Sequence, residues 1–141
     1  MRTDTNMTQY IAAYVIAAII FGILDAVWLS NAAPSLYRPI IGDIMADQFR
    51  LAPALTFYAL YLCGMMWFAV RPALLDGQWT SALLNGALLG FFCYATFDLT
   101  SQAVFKTWPT KLTIIDMIWG TFATGTTAAL TAYLVLRFVK A

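Results

Sequence analysis

Three aspartates, Asp25, Asp98 and Asp116, stand inside stretches of sequence that are otherwise apolar enough to lie in a bilayer. An ionised Asp at the centre of a membrane helix costs roughly 2.5 to 3.5 kcal/mol on insertion scales, and less near the interface, so such a residue needs a partner, water or a function. Carboxyl groups in a water-poor pocket act as general acids or bases, or bind a cationic or hydroxylated head group. The sequence therefore predicts these three as candidate catalytic residues.

The three acids are also compatible with a structural role or with a proton relay. In the structural role, the acids only hold the helices together, and Asp116 is also stabilised by its place near a helix N-terminus. The donors and cations within reach for that role are Tyr94, Thr100, Thr113, Lys106 and Lys111. A relay is disfavoured because no acid continues the path inside the apolar stretches of the other leaflet.

The composition indicates a membrane protein. Of the 141 residues, 62% are hydrophobic and 11% are charged, whereas a soluble domain carries about 25% charged residues. The net charge of +1 argues against a nucleic-acid partner, which needs a basic surface. The chain has no His, and every acid is Asp. This excludes His-ligated haem and Glu/His di-iron sites, so we expect no metal and no cofactor.

Four apolar stretches are long enough to cross a bilayer as helices, which takes roughly 20 residues each. They predict helices at about 8–29, 51–70, 80–105 and 112–138. The fold class is therefore an all-α integral membrane protein, a four-transmembrane-helix bundle that forms a single membrane domain over residues 1–141. The Pro-rich gap after the first span predicts a short interfacial helix at about 43–51.

The first span has one alternative, a cleaved signal peptide with Ser30-Asn31-Ala32 as its cleavage site. The apolar run is long for a signal peptide and contains Asp25 near the site, so we favour a membrane helix. Four Lys and Arg residues then lie on each side of the membrane. The amino group adds one positive charge on the side of the termini, which favours cytoplasmic termini.

Four alternating spans place all three acids toward one face of the membrane. Asp25 and Asp98 lie near the ends of the first and third spans, and Asp116 lies near the start of the fourth. Basic residues flank the spans on that same face, namely Arg38, Lys106 and Lys111. The sequence therefore predicts a polar pocket that opens toward one leaflet and has charged residues at its edge.

Small and polar residues recur at every fourth position on the third and fourth spans. The stripe on the third span is Gly86, Gly90, Tyr94, Asp98 and Gln102, and that on the fourth is Asp116, Gly120, Thr124 and Ala128. Residues four apart share a helix face, and small residues let membrane helices approach closely. The short turn between the spans makes them antiparallel neighbours. We therefore expect the stripes to face each other and the acids to lie where they converge.

Trp residues lie one turn after two of the acids, at Trp28 and Trp119. Trp28 is most simply an interfacial anchor, whereas Trp119 either lines the pocket or packs. The predicted pocket residues besides the acids are Tyr94, Gln102, Trp119, Lys106, Lys111 and Arg38. Cys63 and Cys93 stand inside apolar stretches without the spacing of metal ligands, so we interpret them as small packing residues.

Several short motifs resemble a known family. They are LDxxWL at 24–29, YATxDLT at 94–100 and DxxWGT at 116–121. Together they are similar to domain-of-unknown-function family 2177, a bacterial family of small predicted membrane proteins, and the resemblance covers nearly the whole chain. It implies four membrane helices in a bacterial inner (cytoplasmic) membrane, and it implies no activity.

The chain departs from that family's pattern beside Asp98. Phe97 stands in place of a Tyr, and Ser101 stands in place of an Asn. Both changes shorten the polar reach around the acid, so no mechanism that needs a phenol at position 97 applies to this chain.

Three functions are compatible with the sequence. The first is a pocket protein that binds or modifies a lipid or another membrane-soluble small molecule. The second is a small transporter or channel-like homo-oligomer, and the third is a structural or accessory membrane subunit without chemistry. The expected partners are membrane lipids, with a membrane-soluble small molecule and a second copy of the chain as further candidates. The residue pattern does not decide whether the protein is an enzyme.

Overall fold

The computed structural model describes residues 5–140, and every regular element within that range is helical. Four long helices run along the chain: α1 (Met7–Ile44), α2 (Leu51–Asp76), α3 (Trp79–Val104) and α4 (Thr110–Phe138). Helices α1, α2 and α3 are long and apolar enough to cross a membrane. The single domain predicted over 1–141 also includes residues 1–4 and 141, which lie outside the described range.

Helix α1 continues well past residue 29, where the sequence predicted its end. It is α-helical over Met7–Ala32, widens to a π-helix over Ala33–Tyr37, and closes with a second α-helical turn at Arg38–Ile41 and a 3-10 turn at Gly42–Ile44. Pro34 and Pro39 each stand at the start of one of these segments. Inside a continuous helix each Pro removes one backbone hydrogen bond, and the helix changes its hydrogen-bond pattern there instead of ending. The interfacial helix expected at 43–51 does not form, because helical structure stops at Ile44 and resumes at Leu51.

Helix α4 is the most buried of the four. Thirteen of its residues are buried, against five in α3. Seven of its residues are Thr, and Thr113, Thr124, Thr127 and Thr131 are all buried. A helix that mainly faces other helices needs less apolar surface than one that faces lipid. This explains why α4 is long but more polar than the other three.

Helices α3 and α4 are in closest contact through their glycines. A Cβ atom added to Gly86 would lie 2.8 Å from the Ala128 Cβ, and one added to Gly90 would lie 2.8 Å from the Thr124 Cβ and clash with the Gly120 carbonyl oxygen. On the other helix, a Cβ at Gly120 would overlap the Tyr94 ring. The backbones therefore approach to a distance that only Gly permits at these positions.

The contacts define one antiparallel register. Contacting residues recur every fourth position, with residue numbers rising along α3 as they fall along α4. The facing pairs are Gly86 with Ala128, Gly90 with Thr124, Tyr94 with Gly120, and Asp98 with Asp116. The prediction that the two stripes face each other is confirmed for these helices. The register brings the carboxyl groups of Asp98 and Asp116 together.

The bundle has a packed half and an open half. We define the packed half as residues 7–21 of α1, 61–76 of α2, 79–90 of α3 and 120–138 of α4, and the open half as the rest of these helices. The packed half contains most of the buried core, including Ala13, Ala17, Phe21, Met65, Ala69, Ala82, Ala128, Ala132 and Val135. In the open half, none of the residues 51–60 of α2 is buried. This end of α2 therefore leaves room between itself and its neighbours.

The contact between α3 and α4 predicts a strong position dependence of Gly substitutions. Gly90→Ala should lower the free energy of unfolding by about 1–3 kcal/mol, because the added methyl group overlaps the backbone of α4. Gly64→Ala is the matched control, since a Cβ at Gly64 meets no atom within 4 Å. Thermal unfolding in the same detergent measures both variants. Equal melting temperatures for the two would contradict the close approach of α3 and α4.

Candidate functional site

A cavity of about 380 Å³ lies in the open half, and all four helices contribute to it. Helix α1 provides Asp25, Trp28, Leu29 and Tyr37, α2 provides Phe57 and Tyr61, α3 provides Cys93, Tyr94 and Phe97, and α4 provides Asp116 and Trp119. Seven of these eleven residues are aromatic and two are acids. The volume lies within the range of about 300–1,000 Å³ that small-molecule sites occupy.

Asp116 sits at the centre of a hydrogen-bond chain that begins on α1. The Trp28 indole Nε1 donates to the Tyr37 hydroxyl at 3.1 Å, and the Tyr37 hydroxyl donates to Asp116 Oδ1. Asp116 is 4% exposed. Tyr37 reaches it because α1 continues beyond Leu29 through its π-helical segment. The unexpected length of α1 therefore supplies the hydroxyl group that orients this acid.

Asp98 is fully buried beside Asp116. Neither of its carboxyl oxygens has a hydrogen-bond donor among the described residues, and the group in contact with it is the carboxyl of Asp116. Asp98 does not line the cavity. It therefore lies behind the cavity wall, against Asp116.

Asp25 is the more accessible acid of the cavity. It is half-buried, and its carboxyl group lies beside the indole N–H of Trp119. That N–H makes no well-aligned hydrogen bond to any described residue. The rings of Trp119 and Trp28 stack with centroids 4.6 Å apart and planes 5° apart. This pairing joins α1 to α4 at the cavity wall, and the role of Trp28 as an interfacial anchor stays a prediction.

The cavity is closed toward the packed half by Tyr61 and Tyr94. The Tyr61 hydroxyl is 2.6 Å from the Thr124 hydroxyl, and both side chains are buried. Tyr94 occupies the space that Gly120 leaves free on α4. Phe21 packs behind Tyr61, with ring centroids 5.5 Å apart. These contacts end the cavity near the middle of the bundle.

The remaining predicted pocket residues lie away from the cavity lining. The Gln102 side chain donates to the Thr110 hydroxyl and accepts from the Thr113 hydroxyl, each at 2.8 Å. Arg38, Lys106 and Lys111 are exposed and outside the lining. The hydroxyls of Thr100 and Thr113 bond to other groups, so neither supplies the donor to Asp98 or Asp116 that a purely structural role would use.

Neither thiol is buried in the bundle. Cys63 and Cys93 are both free and exposed, whereas the sequence predicts small packing residues without a disulfide. Cys93 lines the cavity, whereas Cys63 lies in a separate groove between α1 and α2. No group of three His, Cys, Asp or Glu side chains in the described part of the chain is arranged to hold a metal ion.

Several lining residues were not predicted from the sequence as site residues. Tyr37, Phe57, Tyr61 and Phe97 are aromatic residues in apolar or loop-like sequence, where packing or interface anchoring is the simplest interpretation. Tyr37 had no usable signal, since Pro34 and Pro39 on either side of it favour a loop over a helix. Phe97 contacts Trp108 of the turn between α3 and α4, with ring centroids 5.5 Å apart.

Comparison with known proteins identifies a family for most of the chain. The family model described as "Predicted membrane protein (DUF2177)" matches residues 10–133. That range includes every residue of the cavity lining. Neither a curated protein nor a solved structure matches the chain.

The hydrogen-bond chain predicts the effect of removing one hydroxyl. Tyr37→Phe should lower the free energy of unfolding by about 1–3 kcal/mol, because it leaves Asp116 and the Trp28 N–H without their partner. Tyr133→Phe is the matched control, since Tyr133 is 45% exposed on α4. Thermal unfolding of the two variants against the wild type gives the comparison. If the Tyr37→Phe and Tyr133→Phe variants have the same melting temperature, then Tyr37 does not orient Asp116.

Proposed function

The chain belongs to the family of predicted membrane proteins DUF2177, and we propose that it binds a membrane-soluble small molecule in the cavity lined by Asp25 and Asp116. The observation that carries this proposal is the composition of the cavity wall. Aromatic side chains form most of it, and two carboxyl groups are among the polar groups placed to fix the orientation of a ligand. Apolar walls with a few convergent polar groups are the usual make-up of a small-molecule site.

The ligand would enter from the lipid. Leu29, Phe57 and Phe97 line the cavity and are also exposed at the outer surface of the bundle. Phe57 belongs to the part of α2 in which no residue is buried. An amphipathic molecule could therefore place its polar head between the acids and leave its apolar tail among the lipid chains.

The acids divide into two roles in this proposal. Asp25 and Asp116 contact the ligand, and Asp25 is the better placed to exchange a proton with it because it is half-exposed to the cavity. Asp98 is a positioning residue, because it does not line the cavity and lies against Asp116. A reaction, if the protein performs one, would start from Asp25 or Asp116.

In the same proposal α4 is a fourth membrane span and the protein is a multi-pass protein of the bacterial inner membrane. Helix α4 has 29 residues, so it is about 44 Å long at 1.5 Å per residue and exceeds the hydrocarbon thickness of about 30 Å. It lies antiparallel to α3, which is apolar enough to span. If α3 crosses the membrane, α4 crosses beside it, and the cavity lies in one leaflet.

A transport path is less well supported than a binding site. Thr124, Thr127 and Thr131 continue along α4 beyond the cavity, but each is fully buried in the packed half. The hydroxyls of Thr127 and Thr131 have no hydrogen-bond partner within the described residues. Hydroxyls that are fully buried in the closely packed half do not favour a path for a solute, so binding within one leaflet is the function that the geometry supports best.

Protection of Cys93 tests this proposal in lipid nanodiscs. The probe is dodecanol, a single-chain amphiphile with an uncharged head. Saturating dodecanol should slow alkylation of Cys93 by N-ethylmaleimide by about tenfold, the protection expected when nine-tenths of the sites are occupied. Cys63 is the internal control, because it is exposed in a groove separate from the cavity. Mass spectrometry of the two labelled peptides gives both rates in one sample.

A blocked cavity provides the second arm of this test. Cys93→Phe fills the cavity from α3, whereas Cys63→Phe adds the same ring to the outer groove. Binding of deuterated dodecanol by native mass spectrometry should be lost in the first variant and kept in the second. Equal protection of the two thiols, or equal binding by the two variants, would rule out the cavity as the binding site.

A further inference from the structure

We propose that the polar head of the ligand is an organic cation, an ammonium group that sits between Asp25 and Asp116. This inference rests on the proposed binding function and names its ligand class. It is carried by three features of the open half. They are the carboxyl pair Asp98 and Asp116 without a countercharge, a third acid, Asp25, in the cavity wall, and the aromatic side chains that line the cavity.

The cavity holds acidic groups without a basic partner. Asp25 and Asp116 line the cavity, and Asp98 lies buried against Asp116. No Lys or Arg is among the lining residues, and neither oxygen of Asp98 has a hydrogen-bond donor among residues 5–140. Carboxyl groups removed from water at this depth are stable only when paired or neutralised. The site therefore lacks a positive group, and a cationic ligand would supply it.

Aromatic walls make the cavity suited to an organic cation rather than a hydrated metal ion. Seven of the eleven lining residues are aromatic. An ammonium group within about 6 Å of an aromatic ring face is attracted by the ring quadrupole, and the attraction grows when the cation is desolvated. A small metal ion would instead need several oxygen ligands. The combination of two acids and many rings favours a cation that carries its own apolar groups.

A shared proton does not replace the ligand cation. One proton between Asp98 and Asp116 would satisfy the contact of those two carboxyl groups. Any negative charge left on the pair or on Asp25 has no cationic partner among the lining residues. The donors to these acids are the Tyr37 hydroxyl and the neighbouring Trp119 N–H, and both are neutral. The lining therefore leaves protonation as the way to neutralise these acids, and a bound ammonium group would take the place of that proton.

Three dodecyl amphiphiles with one tail and different heads test the ligand class. They are dodecyltrimethylammonium, dodecanol and dodecanoate, and the readout is again protection of Cys93 from alkylation in nanodiscs. We expect half-protection by the ammonium probe at a concentration about tenfold lower than by dodecanol, equivalent to about 1.4 kcal/mol, and no protection by dodecanoate. N-ethylmaleimide is uncharged, and Cys63 corrects for any change in the membrane surface.

The acids are then removed one at a time. Asp116→Asn and Asp25→Asn should each reduce the preference for the ammonium probe over dodecanol to less than about threefold. Asp25 is half-buried, so its variant keeps the test meaningful if Asp116→Asn does not fold. Asp47→Asn changes the net charge equally at an exposed site in the connection between α1 and α2, and it should keep the full preference.

The outcomes separate the two proposals. If dodecanol and the ammonium probe protect Cys93 equally in the wild type, the cavity binds amphiphiles and the ammonium inference is overturned. If the preference survives in both Asp variants, the acids are not its source, and the inference is again overturned. If none of the three probes protects Cys93, both the ligand class and the proposed binding function are contradicted.

Discussion

The close approach of α3 and α4 is the constraint on which the rest of the structure depends. Gly86 and Gly90 on one helix and Gly120 on the other remove the side chains that would hold the backbones apart. Only then can the helices keep one register over about three turns. That register sets Tyr94 against Gly120 and Asp98 against Asp116. The acids therefore face each other because of the glycines, and not because of any attraction between them.

Packing elsewhere in the bundle explains where the cavity forms. In the packed half, small residues such as Ala13, Ala69 and Ala132 are fully buried and the helices meet closely. The first ten residues of α2 bury none of their side chains, and aromatic residues occupy the space between that segment and the other helices. Large rings do not close a gap as completely as interlocking small residues do. The outcome is a cavity confined to the open half, with Tyr61 and Tyr94 at its inner end.

Polar groups in this bundle are satisfied in different ways according to where they lie. Gln102 pairs with Thr110 and Thr113 near the turn between α3 and α4, and Gln9 donates to the Val139 carbonyl at the opposite end. Those contacts are complete within the protein. The carboxyl of Asp98 has no such donor among the described residues. The hydroxyls of Thr127 and Thr131 are unpartnered as well, but an unpaired carboxyl in a hydrocarbon environment is more costly than a hydroxyl. Asp98 is therefore the buried polar group that most needs a partner.

Much of the fold could be predicted from the sequence, because the fold follows from the spacing of small residues and from the apolar composition of the helices. The all-helical class, the membrane character and the facing stripes of α3 and α4 follow from apolar length and from small residues at every fourth position. The length of α1 could not be predicted. Pro34 and Pro39 look like helix breakers in the sequence. Only the structure shows that the helix continues past both of them, through the π-helical segment Ala33–Tyr37.

The candidate site was predictable only in part, because only some of its residue types are unusual in a membrane helix. An Asp in an apolar run stands out, and so Asp25, Asp98 and Asp116 were identified at once. Aromatic residues do not stand out, because the same rings serve packing, interfaces and cavities. Tyr37 and Phe57 come from segments whose position relative to α4 depends on tertiary contacts. Nothing in the sequence distinguishes the acid that lines the cavity, Asp116, from the one behind it, Asp98.

An experimental structure of the protein in lipid nanodiscs with dodecyltrimethylammonium would test the central claim most directly. The account predicts density for the trimethylammonium head between Asp25 and Asp116, with at least one aromatic ring centroid within about 6 Å of the nitrogen and the tail leaving past Phe57. A head group bound elsewhere would contradict it. So would a cavity filled by a lipid acyl chain while Asp116 keeps its bond to Tyr37 and no cation lies near.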